Sequence, residues 1–335
     1  MLYANYYHPD RTGNASFMEV DLHHTHNPTH ANRLLRKAFL DKGIELNNPD
    51  VNEGRSILFS LFHDGQPIPP ILGPKFLIAT ENPFICKLNA NLNYFQHFDH
   101  VFTWNRNFLQ LSNLSQVFIP NQIETSFFPP LSERKIFATI INANKGFPFK
   151  LTSDLYKERL NTIKWYEKNA PNYFSLYGLG WDKPNPAYSI SGKLIRRIKR
   201  LRSQLFGYTP FPLYKGDIPQ KSSVYKIAKF AYCYENVSDL PDYVSEKIFD
   251  AFISGCIPIY WGTNTINTLI PSNCFIDRRN FKDTRQVHQY LLSITPDQYQ
   301  TMQNNIWFFL NSPAIKKFDT SNYVNTIVST ILRKI

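Results

Sequence analysis

The stretch FAYCYENVSDLPDYVSEKIFDAFISGCIPIYWG, residues 230–262, decides the predicted fold. It begins with an apolar run at 230–234 and ends with another at 257–261, and both have the length and composition of buried strands. Between them lie a polar loop and a helix predicted at 244–254, which Gly255 ends. A strand, a helix and a second strand in this order indicate an α/β domain with a parallel sheet.

The first turn of this helix carries three side chains that suit a nucleotide ligand, Tyr243, Glu246 and Lys247. Unpaired backbone N–H groups at a helix start attract phosphate, and Lys247 would add a positive charge. Glu246 would repel phosphate, so it suits sugar hydroxyls better, as carboxylates do in dinucleotide sites. The residues alone leave a second interpretation equally open, in which Glu246 only stabilises the helix N-terminus and Lys247 is solvated.

Strand-like and helix-like runs alternate along the rest of the chain as well. Helical periodicity at 31–42 and 155–168 lies among short apolar runs. Further strands are predicted at 56–62, 75–79, 99–104 and 136–143. A chain of 335 residues suggests two domains. We therefore expect two α/β domains, residues 1–130 and 131–335, with a ligand crevice between them.

The net charge of +11 favours an anionic partner, either nucleic acid, an acidic membrane surface or a phosphorylated small molecule. No segment has 18 uninterrupted apolar residues, and the first residues lack the pattern of a signal peptide. The four cysteines are widely spaced and form no CxxC pair, which predicts reduced packing residues rather than metal ligands. These features predict a cytoplasmic protein.

A basic run, KLIRRIKRLR at 193–202, lies within a predicted insertion at about 185–215. The run has six cations on one side and four aliphatic residues on the other. This pattern suits an interfacial helix on anionic lipid, which would place the protein at the inner face of a membrane. A solvated helix face is the alternative, and nucleic acid is the least favoured partner because no nucleic-acid-binding motif is present.

Several groups of residues along the chain form one set of motifs. The longest is YVSEKIFDAFISGCIPIYWG at 243–262, which Tyr234-Glu235-Asn236 precedes. The others, in chain order, are ATENP (79–83), FDHVFTWN (98–105), NANK (142–145), LYKERL (155–160) and LYGLGW (176–181). Together these motifs resemble glycosyltransferase family 10, the α-1,3/4-fucosyltransferases, and its bacterial members in particular. The similarity extends over roughly residues 30–290 and keeps the family's order.

This resemblance implies a GT-B fold, in which two Rossmann-like domains face a cleft. It implies transfer of L-fucose from GDP-fucose to a glycan hydroxyl with inversion, and it makes Glu81 the general base. The implied donor-binding residues are Arg159 and Lys247 on the pyrophosphate, Glu246 on the ribose, and Tyr243 and Asn236 in the pocket wall. The acceptor would be an N-acetylglucosamine- or glucose-containing glycan of a lipopolysaccharide, glycoprotein or glycolipid, with an α-1,3 linkage. Glu235 lies near this pocket and is interpreted as structural.

The chemistry of an inverting transfer fits that assignment. The base and the leaving group must lie on opposite sides of the sugar. The first half of the chain supplies the base, and the second half supplies the cations that bind the leaving group. Cations can neutralise the departing GDP, and the sequence has no Asp-x-Asp pair to hold a metal. We therefore expect no essential divalent metal and no cofactor. The alternatives are a GT-B enzyme with another sugar nucleotide, or a basic membrane- or nucleic-acid-binding protein without catalysis.

The histidines His23, His24, His26 and His30 form a cluster whose role the sequence leaves open. Their number suits a metal site, but loops before helices commonly hold polar residues, and Asn27 or Thr29 could cap the helix that follows. A contact with the acceptor is the third possibility.

Overall fold

The protein divides into two compact units. The computed structural model describes residues 1–9, 11–19, 29–124, 127–186, 188, 192, 194, 197–198, 201 and 209–335. The first unit consists of Met1–Ile123, Pro241–Tyr243 and Pro313–Ile335, and the second of Glu124–Leu240 and Val244–Ser312. The sequence predicted a division at residue 130 and one continuous C-terminal domain. The structure instead returns residues 313–335 to the first unit.

The first unit is built on a parallel sheet of six strands, counted in the described part of the chain, in the order β2-β1-β3-β4-β5-β6. The strands are β1 (Leu2–Tyr7), β2 (Ile44–Asn47), β3 (Ile57–His63), β4 (Lys75–Ala79), β5 (His100–Thr103) and β6 (Leu114–Gln116). Helix α1 (His30–Leu40) connects β1 to β2, and the short α2 (Leu92–Phe95) precedes β5. Gly43 follows α1 with a φ of 76°, as its predicted position after the helix requires.

The C-terminal segment belongs to the first unit because the apolar side of its helix is buried there. This helix, α9 (Thr320–Leu332), shares one hydrophobic core with α1 and the sheet. Its buried apolar residues are Tyr323, Val324, Ile327, Val328 and Ile331, spaced so that they share one helix face. An assignment by sequence position could not find this packing, since the partners lie about 290 residues earlier in the chain (Leu35 and Phe39 among them).

The second unit contains a parallel sheet with the strand order β11-β10-β9-β7-β8. The strands are β7 (Ile136–Ile141), β8 (Phe174–Tyr177), β9 (Ala228–Tyr234), β10 (Ile257–Trp261) and β11 (Ile276–Asp277). The helices are α3 (Leu155–Asn169), α4 (Lys221–Tyr225), α5 (Glu246–Phe252), α6 (Ile266–Leu269), α7 (Thr284–Ser293) and α8 (Pro296–Leu310). The βαβ unit predicted from residues 230–262 is therefore β9-α5-β10. Its strands pair in parallel, with Tyr234 opposite Trp261.

Two predictions lie largely or wholly outside the described residues. Of the basic run at 193–202, the structure describes Leu194, Arg197, Ile198 and Leu201 only, and the three aliphatic side chains among them are exposed. His23, His24 and His26 are not among the described residues. Within the described ranges, no helix has both the length and the apolarity needed to cross a membrane.

Candidate donor and base sites

Arg159 and Asn236 meet at the carboxyl end of β9. Helix α3 begins at an Asp154 cap, and Arg159 lies on the buried side of its second turn. The Arg159 Nη2 donates to the backbone oxygens of Tyr234 (2.6 Å) and Glu235 (2.8 Å) and to Asn236 Oδ1 (3.1 Å). The guanidinium also lies over the Tyr156 ring, 4.8 Å from its centroid. Arg159 thus holds the loop that follows β9, and it is almost fully buried.

Glu235 is more tightly integrated than the sequence suggested. Its carboxylate is completely buried, accepting from the Ser245 N–H (2.8 Å) at Oε1 and from the Ser245 hydroxyl (2.7 Å) at Oε2. The Lys247 Nζ lies 3.4 Å from Oε2 and donates to Ser245 Oγ at 2.9 Å. The sequence predicted open N–H groups at this helix start. The structure shows that the N–H of Ser245, the residue before α5, is bound by Glu235.

Gly262 has to be a glycine because Glu235 comes so close to the end of β10. A Cβ at Gly262 would lie 2.6 Å from Glu235 Cγ and 2.3 Å from the Tyr260 hydroxyl oxygen. Both distances are shorter than van der Waals contact allows. Gly262, the last residue of the segment 230–262, therefore leaves the space that the Glu235 side chain and the Tyr260 hydroxyl occupy.

Glu246 is paired with a lysine that the sequence analysis did not identify. The Lys221 Nζ lies 2.7 Å from Asp250 Oδ2 and 3.5 Å from Glu246 Oε1, and the Lys247 Nζ lies 3.7 Å from the same Glu246 oxygen. Burial disfavours the charged form of Lys221, but Asp250 and Glu246 outweigh that effect and raise its pKa. Lys221 lies on α4, and no local pattern marks it, because its partners are 25 and 29 positions away.

Tyr243 belongs to the first unit, whereas the other four predicted donor residues belong to the second. Its ring is buried, with its centroid 5.0 Å from that of Trp104. The preceding Asp242 has a φ of 67° and accepts from Arg106 Nε (2.6 Å) and Gln116 Nε2 (2.9 Å). Of the predicted donor residues, the structure therefore gathers Arg159, Asn236, Glu246 and Lys247 in one unit, and the role of Tyr243 stays a prediction.

Glu81 follows β4 at the carboxyl edge of the first sheet, where its backbone is bound on both sides. Its N–H donates to Asp64 Oδ1 (2.9 Å), and its carbonyl accepts from Asn89 Nδ2 (2.9 Å). The same Asp64 oxygen also accepts from the Thr80 N–H (2.8 Å) and from Asn89 Nδ2 (2.8 Å). The Glu81 Oε1 accepts from the backbone and side-chain nitrogens of Asn82 at 2.8 and 3.0 Å.

A histidine and a tyrosine lie beside this loop, and the sequence analysis selected neither. The Tyr6 hydroxyl donates to Asn32 Oδ1 (2.8 Å) and lies 2.5 Å from His63 Nδ1. A hydroxyl has one proton, so His63 Nδ1 is the donor in the second contact. The His63 Nε2 lies 3.4 Å from Thr80 Oγ1 and 3.8 Å from Asp64 Oδ2. Burial lowers the pKa of His63 despite the nearby Asp64, which favours the neutral ring at pH 7.

No cluster of three or more His, Cys, Asp or Glu side chains is arranged to hold a metal within the described ranges. The described cysteines are all free thiols, and burial raises the pKa of each of them. The expectation that no divalent metal is essential stays a prediction.

Comparisons with known proteins agree with the motifs. The family model described as glycosyltransferase family 10 (fucosyltransferase) C-term matches residues 199–324. The Alpha-(1,3)-fucosyltransferase FucT of Helicobacter pylori is 32% identical over 75 residues, which cover 22% of this chain and 16% of that protein. The Alpha-(1,4)-fucosyltransferase of Arabidopsis thaliana is 29% identical over 79 residues, covering 24% of this chain and 20% of that protein. The matched segments thus span a fifth or less of either curated relative.

The fold is also similar to that of a solved structure. A crystal structure of an alpha1,3-fucosyltransferase with GDP matches with a TM-score of 0.54 at 12% identity, over 99% of this chain and 90% of that chain. At that identity the match shows the fold, and it confirms the expected GT-B class of α/β protein with two parallel sheets. The resemblance to glycosyltransferase family 10 predicted from the motifs is confirmed by the family model over residues 199–324.

Proposed function

We propose that this protein is an inverting fucosyltransferase that moves L-fucose from GDP-fucose to a hydroxyl of an N-acetylglucosamine- or glucose-containing glycan, in α-1,3 linkage. Glu81 is the general base in this proposal. Arg159, Asn236, Tyr243, Glu246 and Lys247 are the donor-binding residues, and no divalent metal takes part. The glycan would belong to a lipopolysaccharide, a glycoprotein or a glycolipid.

One observation carries the donor side of this proposal. Four of the five donor residues are spread over 89 positions of sequence, from Arg159 to Lys247, yet hydrogen bonds and ion pairs join them in one network at the carboxyl end of β9. Ligands of parallel α/β sheets bind at the carboxyl ends of the strands. The network also contains cations suited to a diphosphate and a carboxylate suited to ribose hydroxyls.

In the proposed reaction, the acceptor oxygen forms a bond with the anomeric carbon of fucose while the bond from that carbon to the phosphate oxygen breaks. GDP leaves with the electron pair, and the Glu81 carboxylate takes the proton of the acceptor hydroxyl. Lys247 and Arg159 stabilise the negative charge that grows on GDP. Binding of the Glu81 backbone by Asp64 and Asn89 supports this role, because a base must be fixed within hydrogen-bond reach of its proton.

The test is GDP release from GDP-fucose with N-acetyllactosamine as acceptor, in the presence of EDTA. We expect release by the wild type, a loss of about 100-fold or more in kcat in Glu81→Gln, and a loss in Lys247→Ala. Glu53→Gln, an exposed glutamate of the same unit, is the matched control and should leave the rate unchanged. Normal transfer by Glu81→Gln would show that the base is another group. Turnover of a different sugar nucleotide in place of GDP-fucose would overturn the donor assignment, and inhibition by EDTA would overturn metal independence.

A further inference from the structure

Five charged side chains of alternating sign form a row around the start of α5. In spatial order they are Asp250, Lys221, Glu246, Lys247 and Glu235. The consecutive N–O distances are 2.7, 3.5, 3.7 and 3.4 Å. Two proposed donor residues, Glu246 and Lys247, lie inside this row. Each therefore has an oppositely charged group on both sides.

This arrangement resolves a conflict of charge between two neighbouring proposed donor residues. A carboxylate beside a diphosphate repels it. Glu246 nevertheless directly precedes Lys247, the cation proposed to bind the diphosphate. Lys221 supplies the compensating charge from a different helix. Its side chain is only 13% exposed, and Asp250 holds its ammonium group at 2.7 Å, so the charge has a fixed position. A fixed cation compensates a neighbouring carboxylate better than a mobile exposed one, because water and salt screen it less.

We propose that Lys221 is a positioning residue for the donor, one that orients and neutralises Glu246 so that this carboxylate can accept hydrogen bonds from the ribose hydroxyls without repelling the diphosphate. The inference rests on the proposed function, which gives Glu246 the ribose contact. Lys221 itself does not touch the donor in this account. The geometry of Lys221 also agrees with a purely structural ion pair with Asp250, and the two roles predict different nucleotide selectivity.

The experiment compares the affinities of GDP and 2′,3′-dideoxy-GDP, measured by titration calorimetry on the full chain. The dideoxy nucleotide keeps the guanine and the diphosphate but lacks both ribose hydroxyls. We expect the wild type to bind GDP about tenfold more tightly, the effect of losing hydrogen bonds to a charged acceptor. Lys221→Met should lose most of this preference, as Glu246→Gln should. The variant that combines Lys221→Met with Glu246→Gln should lose no more of the preference for GDP than Glu246→Gln alone, because both changes remove the same interaction.

Controls separate this role from a general loss of folding. Lys226→Met removes an exposed lysine just after α4 and should keep the full preference for GDP. Lys221→Met combined with Asp250→Asn removes the buried pair together, so that Asp250 does not remain as an uncompensated buried charge. This double variant should still lose the preference for GDP. Lys221→Arg keeps the charge and should keep most of the preference.

The outcomes also distinguish this inference from the proposed function. A wild type that binds GDP, with a Lys221→Met variant of unchanged selectivity, overturns the role of Lys221 and leaves the proposed function intact. Equal weakening of both nucleotides in Lys221→Met, with the full preference for GDP retained, also overturns it, since that result shows that Lys221 does not orient Glu246 toward the ribose. A wild type that binds neither nucleotide overturns the proposed function, and this inference with it.

Discussion

At the scale of single residues, Asp64 binds the loop that holds Glu81. One oxygen of Asp64 binds the N–H groups of both Thr80 and Glu81, and Asn89 connects Asp64 to the Glu81 carbonyl. Asp64 has a φ of 55°, a conformation that glycine and asparagine also adopt readily. Substitutions at this position can therefore remove the side-chain oxygen without straining the backbone.

We predict that Asp64→Gly lowers kcat for fucosyl transfer by about tenfold or more, because the proposed base is no longer fixed in place. The KM for GDP-fucose should stay unchanged, since Asp64 lies in the other unit from the second-unit donor residues. Asp64→Asn keeps Oδ1 as an acceptor and should retain most of the activity. Steady-state kinetics of GDP release measures kcat and the KM for GDP-fucose in each variant. An Asp64→Gly variant with wild-type kcat would contradict the positioning role.

A second residue-scale prediction concerns pH and His100, a buried histidine whose Nε2 lies 2.8 Å from Ser115 Oγ. Burial, then the positive charges of Lys334 and Arg333, lower the pKa of His100 to about 4. The unfolded chain, with a histidine pKa of about 6.5, binds the proton more readily. The stability from neutral His100 is thus complete above pH 6.5 and is lost as the pH falls toward 4.

We expect the free energy of unfolding to fall between pH 6.5 and 4 by up to about 3 kcal/mol more in the wild type than in His100→Gln. Urea unfolding at several pH values measures this difference. Carboxylates that titrate in the same window affect both proteins equally, so the comparison isolates the histidine. Parallel curves for the two proteins would show that His100 does not contribute.

At the scale of secondary-structure elements, the basic run at 193–202 is the feature that stays a prediction. Its sequence pattern favours an interfacial helix, and the described Leu194, Ile198 and Leu201 are exposed. We expect Arg196, Arg197, Lys199 and Arg200 changed together to Gln to reduce co-sedimentation with vesicles that contain anionic lipid. Transfer to a soluble acceptor should be unaffected. Unchanged sedimentation would support the alternative interpretation, a solvated helix face.

At the scale of the whole molecule, the last helix, α9, completes a core formed mainly by the start of the chain. Ile327 is fully buried in that core. We predict that Ile327→Ala costs about 2–5 kcal/mol of unfolding free energy, the usual effect of a buried large-to-small change. Ser329→Ala, on the exposed side of the same helix, is the control and should have little effect.

Hydrogen exchange should then locate the effect of Ile327→Ala. We expect faster exchange of the amides in β1, β2 and β3, whose side chains share the core with α9. The amides of β9 and β10 should exchange as in the wild type. Faster exchange in the second sheet alone would contradict the assignment of residues 313–335 to the first unit.

Much of the fold could be predicted because its signals are local. The apolar runs and the helical spacing correctly indicated β3, β4, β5, β7, β9 and β10 together with α1, α3 and α5. The strands β1, β2, β6, β8 and β11 were not predicted. Several of them are short, and the aromatic and polar residues of Leu2–Tyr7 hide the pattern of β1.

The amino-acid sequence alone was enough to predict the α/β class, the family resemblance and the identity of the candidate residues, because each depends on residue types at fixed short spacings. The three-dimensional structure was needed to show that Lys221 lies beside Glu246, that Asp64 binds the loop of Glu81, and that α9 packs in the first unit. These contacts join residues from 17 to about 290 positions apart. The partners in these contacts are brought together by the packing of whole helices and strands, so local sequence patterns do not predict them.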